Sequence, residues 1–338
     1  MNYILYPHGG SADHGCEARL RSMLRLLPGS SLEVYSDAPE EDRSYWPHPV
    51  FSLRPAPYRP SSEPSVLLAY QGDDPQLFPQ PCTHPCQLLL GAAPLSSLDT
   101  AENRSLLSCY RRLIAYDPVS AAELRGLHPD VRFCPDPLFS MYMPSVPAPV
   151  SDPYLVLSVS PSEESPLLLD SLVQLLSLLL NTTALRLFLV PFVCHPGSSN
   201  QELLHSLARL YPDTERLRVL PECSSVQLQL LMKNADFTIT SFPAQALLSY
   251  AALTPALLLH SSVRAQRIAS GLFGNTRCHV LPPDHIQDSR SLIRAFHALR
   301  SDAGRIRRIL QQEMPHYRSE SLKLPQLITA PYKKGPDF

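Results

Sequence analysis

The chain has 338 residues, enough for roughly two domains of ordinary size. Its 44% hydrophobic and 18% charged residues are the balance of a folded globular protein and exclude a disordered one. With 29 basic against 31 acidic residues, a net charge of -2 and no basic run, the composition argues against nucleic acid as a partner.

Thirty-six prolines against 12 glycines imply rigid loops and sharp element ends. The eight cysteines are scattered, and none forms a Cys-x-x-Cys pair. The chain does not open on a cationic start followed by an apolar core. The expectation is therefore a reducing, cytoplasmic setting with free thiols, no metal and no cofactor.

In chain order, NYILYP reads as a first strand, followed by the loop HGGSADHGCEA (8–18). CEARLRSMLRLLPG reads as a helix, with Ala18, Leu20, Met23, Leu24 and Leu27 at helical spacing and Gly29 closing it. SLEVYSD is a second strand, and the passage from Trp46 to Pro64 reads as a surface loop. SVLLAYQGDD and CQLLLGAAP are buried strands, each ending in a turn of small residues. SLLSCYRRLIAYD, PVSAAELRGL and VRFCPDPLF continue the alternation of strand and helix.

MPSVPAPVSDP (143–153) is the most linker-like segment. After it the pattern restarts as five strands, YLVLSVSP, ALRLFLVPF, RLRVLPE, FTITSF and PALLLH, interleaved with four helical runs. The uncharged stretch 237–263 is cut by Pro243 and Pro255, so it reads as strand, helix and strand rather than a membrane span. The fold class is α/β, with two Rossmann-like doubly wound domains facing a central cleft. The division is 1–143 for the first domain on the acceptor side, 144–153 for the linker, 154–315 for the second domain on the donor side, and 316–338 for a tail. RIRRILQQEMPHYR reads as a closing helix whose arginine stripe would allow at most peripheral membrane contact.

The first loop admits several readings. His8, His14 and Cys16 would suit a metal, Cys16 beside His14 a nucleophile and its base, and the whole a capped tight turn. The reading preferred here is a ligand loop. Gly9, Gly10 and Gly15 permit close backbone approach, and the following helix points free N–H groups at a hydroxyl-rich or anionic ligand. Asp13 and Glu17 are then its polar contacts.

HGGSADHGCEARLRS, YQGDD, LLLGAAP, AYDPVSAAELRGLHPDVRFCPDPLF, LVPFVCHPG, VLPECSSVQLQLLMKNADF and SSVRAQRIASGLFG occur in that order. Together they resemble the bacterial polysaccharide pyruvyl transferases, over roughly residues 2–275. That resemblance implies a fold like the GT-B glycosyltransferases. It also implies transfer of a pyruvyl group from phosphoenolpyruvate to a sugar of a cell-surface glycan or its lipid-linked precursor. Such chemistry needs cations for phosphate and carboxylate and an acid/base for proton transfer.

The candidate catalytic residues on this chain are Asp13, Glu17 and His195, the last as a replacement three residues past Phe192. Substrate binding falls to His8, Gly9, Gly10, Gly15, Gly72, Asp73, Asp117, Glu222 and Arg264. The family's Arg before the first-domain acid is Tyr116 here, and its His after a strand-end Pro is Phe192. Its Arg-x-His turn falls on Phe242, Pro243 and Ala244. An aromatic ring cannot hold phosphate as a guanidinium does. Two further readings therefore stand beside transfer: an altered or inactive relative that binds a glycan, and a glycosyltransferase using a nucleotide sugar.

Overall fold

The computed structural model of the chain describes residues 2–46, 49–56, 65–70, 87–92, 100–143, 152–160, 166–195, 199–260 and 262–331. The chain divides into two units, each discontinuous in sequence. One comprises 1–11, 19–141 and 317–338, the other 12–18 and 142–316.

The first unit is built from β1 (Asn2–His8), α1 (His14–Leu26), β2 (Ser31–Ser36), α2 (Pro39–Tyr45), β3 (Ser52–Pro55), β4 (Ser65–Tyr70), β5 (Gln87–Leu90), α3 (Thr100–Ser108), β6 (Arg112–Ala115), α4 (Pro118–Leu124) and β7 (Val131–Phe133). The first turn of α1 belongs to the other unit. The strands form a parallel sheet in the order β3-β2-β1-β4-β5-β6-β7. The order reverses between β1 and β4, the switch point at which doubly wound folds gather their ligand loops. Central strands are apolar on both faces, as a covered parallel sheet demands. In β5 alternate side chains go to opposite sides. Leu88 and Leu90 join a core with Leu5, Leu20, Val34 and Ile114, while Leu89 packs with Leu107, Leu113 and Leu124.

The second unit runs β8 (Tyr154–Ser158), α5 (Pro166–Thr182), β9 (Arg186–Leu189), α6 (Gln201–Arg209), β10 (Leu217–Val219), α7 (Ser225–Lys233), β11 (Phe237–Thr240), α8 (Pro243–Ala251), β12 (Ala256–Leu258), α9 (Val263–Phe273) and α10 (Ser291–Ser321). The part of α10 after His316 belongs to the first unit. Its parallel sheet has the order β10-β9-β8-β11-β12, with a switch between β8 and β11. In α5, Leu168, Leu172, Leu175, Leu176 and Leu179 are buried at helical spacing. Helix α7 starts with a capping box between Ser224 and Gln227, and α9 ends on Gly274 in the left-handed region at φ 73°.

The two parallel sheets bear out the α/β, doubly wound expectation, and 237–263 is β11, α8 and β12 as expected. Among the described residues no helix is long and apolar enough to cross a membrane. The structure departs from the sequence reading in four places. The proline-rich loop from Trp46 contains β3, whose Pro55 is tolerated because β3 is an edge strand. Helix α2 was not foreseen, since seven residues offer too short a period to read. SLLSCYRRLIAYD resolves into the end of α3 and then β6, and the closing helix is the longer α10. Most of the proposed linker, 144–151, lies outside the described residues.

The described part of the segment read as a tail includes a helix that packs with the first unit. Helix α11 (Leu324–Thr329) sends Leu324 and Ile328 into the β1–β2 core. Buried Arg112 of β6 secures it, pairing with Asp130 at 2.7 Å while donating to the carbonyls of Leu327, Ala330 and Pro331. Removing one partner of a buried pair leaves the other charge uncompensated. Arg112→Ala should therefore cost about 3–5 kcal/mol, read as a lower urea midpoint with faster proteolysis near residue 331.

Candidate functional site

The first loop divides between the units. His8, Gly9, Gly10 and Ser11 lie in the first, and 12–18 fold with the second. Buried His8, at the end of β1, places Nε2 3.3 Å from Ser11 Oγ and 3.6 Å from Asp42 Oδ2. Asp42 also accepts from the Ser11 N–H and the Ser36 hydroxyl. Burial alone would raise its pKa, but His8, Ser36 and Ser11 together hold it down at about 2. Gly9 is exposed, and Gly10 takes φ 90°, a conformation that favours glycine.

Within the second unit, Ala12–Ala18 lies against the loop after β9. Asp13 and Val193 form an antiparallel bridge, flanked by His14 N–H to Phe192 O at 3.1 Å and Cys194 N–H to Ala12 O at 2.8 Å. Asp13 Oδ1 accepts from the N–H groups of Gly15 at 2.7 Å and Cys16 at 3.2 Å, so it caps α1. Glu17 is fully enclosed at 0% exposure, and its Oε2 accepts the N–H of Ser225, the first residue of α7, at 2.7 Å. A carboxylate there is stabilised by the helix dipole.

The same Oε2 lies 3.4 Å from Nδ1 of His14, also at 0% exposure. Burial would lower the pKa of this ring. The Cys194 sulfur and the Glu17 carboxylate outweigh burial and raise it to about 9. Half-buried Cys223 is driven the other way, up to about 12, by burial and by the charges of Cys194, Glu17 and Glu222.

Positions that the resemblance fills with cations are here apolar and in contact. Phe192 stacks on Phe242 with centroids 4.7 Å apart and meets His14 edge-on at 5.8 Å. A Cβ built on Gly15 would stand 2.9 Å from Cβ of Ala244 and 3.6 Å from the Phe192 ring. The close approach of α8 therefore requires that residue 15 have no side chain. Helix α8 starts on Phe242 with no side-chain cap. Tyr116 is buried in the first unit's core.

The remaining predicted residues are dispersed. Asp117 caps α4, accepting from the Ser120 N–H at 2.7 Å and from the Ser120 hydroxyl. Glu222 is exposed, and His195 is half-buried beside Cys194. Arg264 lies in the first turn of α9 at 7% exposure. Gly72 and Asp73 lie outside the described residues.

His8 and His14 have separate partners, and among the described residues no three His, Cys, Asp or Glu side chains are grouped to hold a metal ion. The thiol that acts electrostatically on His14 is that of Cys194. Sequence reasoning passed over Cys194, Ser225 and Asp42. The Ser-x-x-Gln box at 224–227 is a signal that would have located the start of α7.

The fold class is that of GT-B epimerases and glycosyltransferases. UDP-GlcNAc 2-epimerase from Neisseria meningitidis, solved with UDP-GlcNAc, is similar with a TM-score of 0.61 at 11% identity, covering 97% of this chain and 99% of that one. The enzyme of the same name from Methanocaldococcus jannaschii, in complex with UDP-GlcNAc and UDP, gives 0.56 at 13%, covering 88% and 92%. The calicheamicin glycosyltransferase CalG4 gives 0.53 at 12%, covering 98% of each chain. At these identities the likeness shows the fold alone. Residues 117–242 match the family model of polysaccharide pyruvyl transferase, which bears out the resemblance over that stretch. No curated protein sequence matches the chain.

Two outcomes follow from this geometry. Gly15→Ala should destabilise the fold by about 1–3 kcal/mol through overpacking, and adding Ala244→Gly should recover part of that loss in thermal unfolding. The pH dependence should have two limbs. Asp42 sits below its unfolded pKa of about 3.9, so its contribution is complete above that value and is lost as pH falls toward about 2. His14 sits above its unfolded value of about 6.5, so its contribution is complete below that and is lost as pH rises through about 9. Asp42→Asn should flatten the acid limb of a denaturation midpoint profile and leave the alkaline limb in place.

Proposed function

We propose that the chain is a pyruvyl-transferase-type protein that acts on a sugar of a cell-surface glycan or its lipid-linked precursor, with phosphoenolpyruvate as donor, in the cytoplasm. The observation that carries this reading is the family match over 117–242, which runs from the α4 cap at Asp117 to the start of α8 at Phe242. The GT-B fold supports a sugar substrate. In this reading the first unit serves the acceptor and the second the donor. Buried Arg264 is the cation that binds the phosphate or carboxylate of the donor, and half-buried His195 is the proton-transfer group. Asp13 and Glu17 act by holding helix starts rather than by touching substrate.

One observation favours a second reading, an altered relative that binds a glycan without transferring pyruvate. Phe192 and Phe242 stand where the resemblance places His and Arg, and they stack on each other. Calorimetric titration of the full chain with phosphoenolpyruvate at low salt separates the two. Transfer predicts saturable heat that Arg264→Ala weakens by at least about tenfold, while the thermal midpoint stays within a few degrees. No heat at millimolar ligand, with saturable binding of an acidic glycan instead, supports the second reading.

A further inference from the structure

The loop after α9 extends the second unit's sheet. Val280 forms a parallel bridge with Leu258 of β12, and the Leu258 N–H donates to His279 O at 2.8 Å. Helix α9 runs back from the carboxyl end of β12. Its close at Gly274, and the residues up to Cys278, therefore lie at the opposite end of the sheet from the turns that carry Phe192, Ser225 and Phe242. There a cavity of about 460 Å³ opens between this loop and α10, within the size range of small-ligand sites. Arg277 and Cys278 line it from the loop, and Ser301, Asp302 and Arg305 from α10. All belong to the second unit.

The walls are held in place by the protein's own contacts. Asn275 Oδ1 accepts the Arg277 N–H at 3.1 Å, and its Nδ2 donates to Phe273 O at 3.3 Å, which fixes the loop. On the inner side Cys278 is buried, with Sγ 3.5 Å from Nε2 of buried His279, and that ring stacks on Phe273 with centroids 3.7 Å apart. Asp302 Oδ2 accepts from Nη2 of Arg305 at 2.8 Å. This orients the guanidinium and leaves its Nε and Nη1 donors for a ligand. Arg277 makes no ion pair among the described residues. Two guanidinium groups against one carboxylate leave the lining positive. Burial pushes His279 down to about 4, and the charge of Arg305 adds to that effect against the opposing charge of Asp302.

We propose that this cavity binds a phosphomonoester of a polyhydroxy compound, with Arg277 and Arg305 holding the phosphate and Asp302 and Ser301 the hydroxyls. A guanidinium fork matches phosphate oxygens, and a dianion answers two such forks. Asp302 accepts from hydroxyl groups and repels a second anionic group, so the site selects against diphosphates and dicarboxylates. It is distinct from the donor site built on Arg264. Arg264 stands in the first turn of α9 and Arg277 beyond its last, about 15 Å apart along the helix axis. The proposal is independent of the sugar reading.

The test is calorimetric titration of the full chain with glycerol phosphate at low salt and about pH 7.5, where the probe is largely a dianion. The wild type should give saturable heat, with inorganic phosphate bound at least about threefold more weakly. Arg277→Gln and Arg305→Gln should each weaken glycerol phosphate by at least about tenfold, and Arg264→Ala should leave it unchanged. Both arginines are exposed, so the thermal midpoints of their variants should stay within a few degrees of the wild type. Flotation with phosphatidylcholine vesicles that carry phosphatidic acid identifies the source of the group. Capture that needs Arg277 and that glycerol phosphate competes away assigns it to a lipid headgroup; saturable heat without capture assigns it to a soluble compound, and both uphold the site. No saturable heat at about 10 mM probe overturns the proposal. So does heat that Arg264→Ala removes and Arg277→Gln retains, or inorganic phosphate bound as tightly as glycerol phosphate.

Discussion

A carboxylate with no access to water has to find its partners inside the protein, and Glu17 does so. It accepts the first N–H of α7 and lies against the His14 ring. Unpaired, such a charge would cost several kcal/mol, so the seven residues around it fold with the second unit although the chain on either side belongs to the first. The cap at Asp13 and the close approach at Gly15 lie in the same seven residues. The α7 N-terminus and the His14 ring thus act on the same oxygen.

The second determinant is apolar. Where a pyruvyl transferase is expected to present His and Arg, this chain stacks Phe192 on Phe242 and brings Ala244 against Gly15. Guanidinium and imidazolium groups at those positions would repel each other and draw in anions. Two rings attract each other and exclude water. The family match thus continues through a region whose electrostatics have changed.

Acids at strand-to-helix turns are legible in a sequence, but their task is not. Asp13, Glu17 and Asp117 were read as ligand contacts, and each proves to serve a helix start, at α1, α7 and α4 respectively. The physical reason is that a helix N-terminus offers the same free N–H groups and positive potential to a side chain as to a ligand. A local cap such as Asp117 over Ser120 can be read from spacing three residues apart. Glu17 over Ser225 joins residues 208 apart in the chain, and no local pattern encodes it.

The sequence by itself determined the alternation of strand and helix, the restart after the proline-rich stretch and the family resemblance. Apolar runs bounded by prolines and glycines allow little else than buried parallel strands with covering helices. Only the tertiary structure decided where the chain crosses between units, that residues 317–331 return to the first core through Arg112, and that Glu17 holds the start of α7. Those outcomes rest on pairings between distant segments, where burial forces charges and hydrogen-bonding groups to satisfy one another across the fold rather than along the chain.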